Sequence, residues 1–325
     1  MGEAAAIGAL VRDAIYRVDS LPDPEGLGEI LWAARRGGGV AANFAVAYTR
    51  AGGRAVLVSS TGSDGDSEEL LRQLEALGVS TRGVKRRSGG PVRLHIYEDE
   101  ETRIFFLENR RTLRLEPAEV DPYLGAELVF TDLFTPEAAL HALQEASAAG
   151  TPTAAILAHG LDAMEGWGLT WPMLLRAADM LDLLTTSLAV LRSLPQPRLL
   201  LERLTGRGEA VVTMGAEGSI VIGPWGALHV PALPVQPVDT TGAGDAYTGF
   251  YARLRLVEGL PPRQAATIAS AAASLKCTRV GAWSSPGRAE AEEAAKTLKD
   301  RAVPLGRGDA VAYLLGRPGR RGAVQ

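Results

Sequence analysis

Short apolar runs alternate along this chain with longer stretches whose apolar residues recur every three or four positions. AAAIGALV, from Ala4, reads as a first strand, and the β-branched run AVLVSST, from Ala55, as another. Five further strands are predicted: ELVFTDL from Glu127, PTAAILA from Pro152, MLDLLTT from Met180, EAVVTMG from Glu209 and GSIVIG from Gly218. Helical spacing covers Val40 to Arg50, entered through Gly37-Gly38-Gly39. It returns from Ser67 to Leu77, where Leu70, Leu71, Leu74 and Leu77 share a face and Gly78 closes the helix. Pro136 to Ala149 and Thr170 to Ala178 add two more helices between strands. Such alternation predicts an α/β fold, a mostly parallel sheet with helices on both faces.

Two segments break the rhythm. Ile15 to Arg36, with Pro22, Pro24 and several glycines, reads as loop-like. VRLHIYEDEETRIFFL, Val92 to Leu107, alternates apolar and polar residues about the acidic turn Glu98 to Glu101, a hairpin pattern. An antiparallel hairpin on a parallel protein suggests a small appended sheet, such as a lid, or a surface hairpin without a role. From Gly306 onward Arg317, Arg320 and Arg321 lie among Gly and Pro with weak periodicity, which predicts a flexible tail over 306–325. No internal repeat of 20–50 residues occurs.

Composition narrows the function classes. A formal charge of −4 over 325 residues argues against a nucleic-acid partner. Cys277 is the sole cysteine, so no internal disulfide forms and no cysteine-based metal cluster exists; it reads as a small buried apolar residue. MGEAAAIGALVRDAIY has no basic leading region, and Arg12 and Asp13 interrupt its apolar run, so it is not a signal peptide. No stretch reaches the roughly 18 uncharged apolar residues of a membrane helix. The expectation is a cytoplasmic protein without a membrane partner.

The most unusual stretch is DTTGAGDAYTGF, Asp239 to Phe250. Gly242, Ala243 and Gly244 precede Asp245, and Ala246, Tyr247, Phe250, Tyr251 and Leu254 follow at helical spacing. The small residues thus lie at a helix N-terminus, where unpaired N–H groups and the helix dipole favour an anion. A carboxylate repels a phosphate there. Asp245 is either a first-turn residue stabilised by the dipole or a base that accepts the proton of an attacking hydroxyl. The second role, beside an anion hole, is the minimum apparatus for moving a phosphoryl group onto an alcohol.

Together with three other motifs, this stretch resembles the ribokinase-like carbohydrate kinases, the PfkB family. DTTGAGDAYTGF is similar to the family's C-terminal signature. RGGGVAANFAVAYTRAGG, Arg36 to Gly53, is similar to its N-terminal signature. VSSTGSDGDSEELLRQLEALGVST follows as its G-x-D segment, and TMGAEG, Thr213 to Gly218, is similar to its nucleotide loop. The resemblance covers most of residues 1 to 300. It implies a ribokinase-like three-layer α/β fold over 1–305 as one domain, with a discontinuous β-sheet lid from about 14–37 and 88–108.

The resemblance also implies roles. Asp245 would be the base, and the N–H groups of Ala243, Gly244 and Asp245 after Gly242 would hold the transferring phosphoryl charge. Asp13, Gly38, Gly39 and Asn43 would contact the substrate; Asn43 alone could also read as a helix cap. Arg103, from the lid, would meet an acidic substrate group or stay an exposed arginine. Thr213, Gly215 and Gly218 would line the nucleotide, ATP with Mg²⁺. Asp239 and Thr241 match positions that bind a monovalent cation such as K⁺ in many members. The acceptor is expected to be a small carbohydrate, a sugar or sugar acid, with a nucleoside as the alternative, and a homodimer would form through the lid. A non-catalytic sugar- or nucleotide-binding protein on the same scaffold is the competing class.

One family motif is missing. The N-x-x-E pattern that organises Mg²⁺ falls on DLLTTSLAVLRSL, Asp182 to Leu194, with Thr186 for the Asn and Ala189 for the Glu. Neither reproduces a carboxylate's hold on a hydrated cation. D-x-N is absent from AAILAHGLDAMEG, where His159 and Asp162 have no assigned role. No G-K-[ST] follows a glycine-rich loop, which disfavours a P-loop kinase, and no G-x-G-x-x-G follows the first strand, which disfavours a nicotinamide enzyme.

Overall fold

A computed structural model describes residues 2–22, 26–99, 102–298 and 300–316, with the backbone but not the side chain of Arg103. Strand β1 (Ala4–Ile7) begins the main sheet. β2 (Val11–Val18) and β3 (Ile30–Gly38) leave it for a second sheet. β4 (Ala55–Thr61) and β5 (Ser80–Arg86) return to the first. β6 (Val92–Glu98) and β7 (Arg103–Glu108) complete the second. β8 (Leu128–Thr131), β9 (Thr153–Leu157), β10 (Leu183–Ser187) and β11 (Glu209–Thr213) then extend the first. β12 (Ser219–Gly223), β13 (Gly226–Val230) and β14 (Val303–Leu305) finish it.

The main sheet has the order β14-β13-β12-β11-β10-β9-β8-β1-β4-β5. Pairing is parallel from β5 to β11 and antiparallel beyond. Both faces are covered, and the period-2 alternation of side chains sorts them. Ala154 and Ile156 of β9 join one apolar layer, while Ala155 and Leu157 join the opposite one. The first layer includes the helices Val40–Arg50, Ala243–Tyr251 and Pro262–Cys277, hereafter the Asn43, Asp245 and Lys276 helices.

The small sheet has the order β3-β2-β6-β7. Its strands occupy the region 15–36 that composition marks as loop-like. The signal fails there because Ile30–Gly38 shows no inside–outside alternation, and most of it is exposed on both faces. AAAIGALV is likewise not one strand: β1 stops at Ile7, and the chain crosses to β2 through Gly8. Arg12 fastens the second sheet to the main body. Its Nε donates to Asp66 at 2.8 Å, and Arg93 Nε donates to the same carboxylate at 3.0 Å. The expected tail also departs from the sequence reading, since Arg307–Leu314 forms a helix whose Ala310 and Leu314 are buried. Arg317, Arg320 and Arg321 lie outside the described residues.

The Asn43 and Asp245 helices cross at their smallest residues. A Cβ added to Gly249 would lie 2.6 Å from Ala47 Cβ and 2.8 Å from Tyr48 N, so only glycine permits this approach. Substituting Gly249→Leu must wedge the two helices apart. We expect a loss of about 2–4 kcal/mol in urea-induced unfolding, against under about 0.5 kcal/mol for an exposed control such as Glu293→Gln.

Candidate active site

The Asp245 helix starts at Gly242, whose φ of 81° places it in the left-handed region that glycine adopts freely. Ala246 makes the first helical bond, its N–H donating to Gly242 O at 2.9 Å. The N–H groups of Gly244 and Asp245 therefore precede the helical ladder. Ala243 differs from expectation: its N–H already donates to Thr240 O at 3.2 Å, which leaves the free donors at Gly244 and Asp245.

Asp245 is buried, and no side chain caps its helix. Its Oδ2 accepts a 2.6 Å hydrogen bond from Asn43 Nδ2. Asn43 does not cap either. It lies inside its helix with its own N–H on Gly39 O, and its side chain crosses to the other helix. Asn43 Oδ1 is buried with no hydrogen-bond partner among the described residues. Burial pushes the Asp245 carboxyl up to about 7, with Asp132 adding to the rise and Asn43 and Lys276 opposing it.

Asp132 is a site residue that sequence reasoning missed. It follows β8 and is fully buried. Its Oδ2 accepts from Ala9 N at 2.7 Å and Ala41 N at 3.2 Å, and its Oδ1 from Phe134 N at 3.1 Å. One carboxylate thus fixes the β1–β2 crossing, the start of the Asn43 helix and its own loop. Burial outweighs those bonds and lifts its pKa to about 6. The available signal was an acid directly after a short, mostly apolar strand, at the carboxyl edge where open α/β sheets bind ligands.

Asp13 lies on β2 beside Arg36 of β3. Burial first, then Asp239, raises its carboxyl to about 7, against the pull of Arg12 and Arg36. Gly38 ends β3, and Gly39 is the N-cap of the Asn43 helix, so this glycine pair joins the small sheet to the site. Arg103 pairs with Glu98 across the β6–β7 ladder; its side chain lies outside the described residues.

Beside the helix start is a cleft of about 560 Å³. Thr213, Gly215 and Gly218 line one wall, Ala243 and Gly244 the floor, and Leu233, Ala273 and Cys277 the remainder. Cys277 is half-buried against this cleft rather than enclosed in the core. Thr240, between Asp239 and Thr241, lines the cleft as well, and each oxygen of Asp239 holds a main-chain N–H. Thr241 N donates to Oδ1 at 2.9 Å and Gly281 N to Oδ2 at 2.8 Å, while Arg36 Nη1 approaches Oδ2 at 3.4 Å.

Over the stretch that lacks N-x-x-E, a strand ends and a helix begins. Thr186 lies in β10 and donates to Leu157 O, whereas Ser187 is the cap, its Oγ accepting from Val190 N at 3.2 Å. Val190 brings no carboxylate, and neither does Ala189. His159 meets Phe134 edge-on at 5.9 Å, and Trp167 meets the same ring at 5.2 Å.

Comparison with known proteins decides the family. The sequence model described as "pfkB family carbohydrate kinase" matches residues 1–287. The chain belongs to this family. The chain is 29% identical over 278 residues to an ATP-dependent ribose-1-phosphate kinase of Halopiger xanaduensis, covering 84% of this chain and 91% of that one. It is 29% identical over 291 residues to a 2-dehydro-3-deoxygluconokinase of Thermoproteus tenax, covering 80% and 85%. In fold it is similar to the nucleoside kinase of Methanocaldococcus jannaschii, with a TM-score of 0.78 at 22% identity over 91% of this chain and 99% of that one. It is similar also to the ribokinase of Arabidopsis thaliana, solved with ribose and ATP, with a TM-score of 0.77 at 18% identity over 91% and 99%. This PfkB kinase is a phosphotransferase of the sugar and nucleoside kinases.

In this kinase Asp132 carries three main-chain donors that have no substitute. Asp132→Ala should lower stability by about 3 kcal/mol or more in chemical unfolding, since each orphaned buried N–H costs about 1–3 kcal/mol. Asp132→Asn keeps an acceptor oxygen and should lose less than half as much.

Proposed function

We propose that this kinase transfers the γ-phosphoryl group of ATP to a hydroxyl of a small carbohydrate, with Asp245 as the general base. One observation carries the reading. Asp245 is a buried carboxylate with a pKa near 7, in the first turn of a helix whose Gly244 opens onto the nucleotide cleft. A base works best when its pKa is near the working pH. Asn43 holds Oδ2, and Oδ1 takes the proton of the acceptor hydroxyl. The Gly244 and Asp245 N–H groups meet the charge on the transferring phosphoryl group. Asn43 Oδ1 and Asp13 offer acceptors to neighbouring hydroxyls of a polyol. Thr213, Gly215 and Gly218 would hold the nucleotide, and the apolar walls at Leu233 and Ala273 suit a base.

Bound Mg²⁺ would neutralise phosphate charge. The chain supplies no carboxylate for it at Ser187 or Val190, and no group of three or more acids, histidines or cysteines that could hold a metal ion exists among the described residues. The ion would rest on the nucleotide's own oxygens.

A nucleoside acceptor is the second reading, and the small sheet favours it. Cross-strand register puts Asp13 and Arg36 in one row with Leu94 and Leu107, and Ile15, Ala34, Ile96 and Phe105 in the next on the same face. Arg36 turns that face toward Asp239, so an apolar lid surface hangs over the site. Free sugars gain little from such a surface, and an aromatic base gains more. On the other face Tyr16 stacks on Tyr97 with ring centroids 4.7 Å apart, and Phe106 meets Tyr97 edge-on. We assign this aromatic face to a homodimer through the lids.

The test is ADP release across sugars, keto-deoxy acids and nucleosides. If ligands bind but no acceptor stimulates release, the binding-protein reading replaces this one. A base must be ionised to act, so kcat/KM should fall about tenfold per pH unit below about 7 and level off above it. Asp132→Asn removes a negative neighbour and should move that limb to lower pH. Asp245→Asn should lose about 10²–10⁴-fold in kcat. Its stability should change in the opposite sense. The folded Asp245 pKa lies above the unfolded one, so the native state binds more protons between about 4 and 7 and is destabilised once Asp245 ionises. The Asn variant should therefore melt at a higher temperature than the parent at pH 8, and the two should converge at pH 4.

A further inference from the structure

Lys276 is fully buried, at the last turn of an alanine-rich helix, next to Cys277 of the cleft. Its Nζ donates to Asp239 O at 2.8 Å and lies 4.0 Å from Asp239 Oδ1. Burial pulls its pKa down, and the charge of Asp239 holds it up. Burying an ammonium is costly, so its retention calls for a partner charge that needs it.

That partner is the Asp239 carboxylate. Asp239 clamps two backbone segments, through Thr241 N on one side and Gly281 N on the other. The segments meet at Gly242, where an added Cβ would lie 3.0 Å from Ala282 Cα. The anion-holding turn therefore rests on a clamp that is itself an anion. Left unneutralised, Asp239 would repel the phosphoryl charge that Gly244 and Asp245 receive. Burial raises the carboxyl, but the Gly281 and Thr241 N–H groups and the Lys276 charge outweigh it and keep Asp239 ionised.

Asp239 and Thr241 do not form an open cradle for K⁺. Each carboxylate oxygen already holds an N–H, and two fixed cations, Lys276 and Arg36, lie within 4.0 Å. A third positive charge would meet repulsion from both. We propose that the Lys276 ammonium is a built-in monovalent cation, a positioning group that neutralises Asp239 and makes the kinase independent of K⁺. Being covalently attached, it is present at full occupancy whatever the salt, whereas a dissolved ion must bind in competition with water. The proposal rests on the Gly242–Asp245 turn being the phosphoryl site.

The experiment uses the full-length protein in tetramethylammonium buffers. Thermal unfolding and ADP affinity by calorimetry are measured with 0 and 100 mM K⁺, Na⁺ or NH₄⁺. ADP release is measured in parallel with whichever acceptor is active. For the parent, all three readouts should change less than twofold, or less than about 1 °C, between K⁺ and tetramethylammonium. Lys276→Met should bind ADP at least tenfold more weakly in tetramethylammonium. K⁺ or NH₄⁺ should restore much of that affinity and raise its melting temperature by several degrees. Lys276→Gln, which keeps a donor without the charge, should behave likewise. Activation of the parent fivefold or more by K⁺ overturns the proposal. So does a Lys276→Met protein that binds ADP as the parent does, or a loss in both variants that no monovalent cation restores. ADP binding needs no acceptor, so a protein that binds ADP but phosphorylates nothing fails the kinase reading alone.

Discussion

The site depends on one crossing. The Asn43 and Asp245 helices come from opposite ends of the chain, 202 residues apart, and touch through Gly249 and Ala47. That contact sets the spacing at which Asn43 Nδ2 reaches Asp245 Oδ2 at 2.6 Å. A larger residue in either helix would break the bond, and the candidate base would lose the group that orients it. The small residues in these helices therefore set the Asn43–Asp245 distance as well as the packing. Ala45, Ala47 and Gly249 are poor sources of apolar burial, and each is fully buried because the helices must lie close.

A second constraint follows from gathering acids out of water. Asp13, Asp132 and Asp245 are all buried, and burial raises each carboxyl to about 6 or 7. Among the described residues no salt bridge satisfies Asp132; three main-chain donors do. Asp13 has Arg36 beside it, and Asp245 has only the Asn43 amide and a more distant Lys276. Asp13 and Asp245 rise alike, to about 7, and Asp245 is the one in the first helical turn beside the cleft. A carboxylate held firmly by cations would accept no proton near neutral pH.

Much of this was legible in the sequence, for identifiable reasons. The largely buried strands β4, β8, β9, β10 and β11 announce themselves as mostly apolar runs, since a parallel sheet is covered on both faces. The Gly242–Asp245 turn shows as small residues before an acid at a helix start. Local patterns did not reveal β2 and β3: β2 buries Arg12 and Asp13 among apolar residues, and the exposed residues of β3 carry no alternation. They also misread 307–314, where Ala310 and Leu314 give only a faint helical period. Asp132 and Lys276 were missed for a different reason. Each is a single charged residue in an apolar context, and its partners, Ala9 and Ala41 or Asp239, are distant in sequence. Only the folded chain shows that these charges are buried and occupied. That Asp245 does not cap its own helix is likewise visible only in the fold, where its carboxylate bonds to Asn43 across the protein.

The missing glutamate and the buried lysine belong to one electrostatic account. Ala189 and Val190 supply no carboxylate over the stretch that lacks N-x-x-E. Arg36 and Lys276, in turn, bring two positive charges to a single carboxylate, Asp239. Both changes move the local field in the same direction, toward a site more favourable to phosphate oxygens. Fixed cations act in a low-dielectric interior and need no reorganisation when charge shifts during transfer. A hydrated metal held by a protein carboxylate achieves a similar field but depends on free ion concentration. Phosphoryl transfer here would rely less on ions recruited by the protein and more on charges built into the chain, with the remaining Mg²⁺ brought in on the nucleotide.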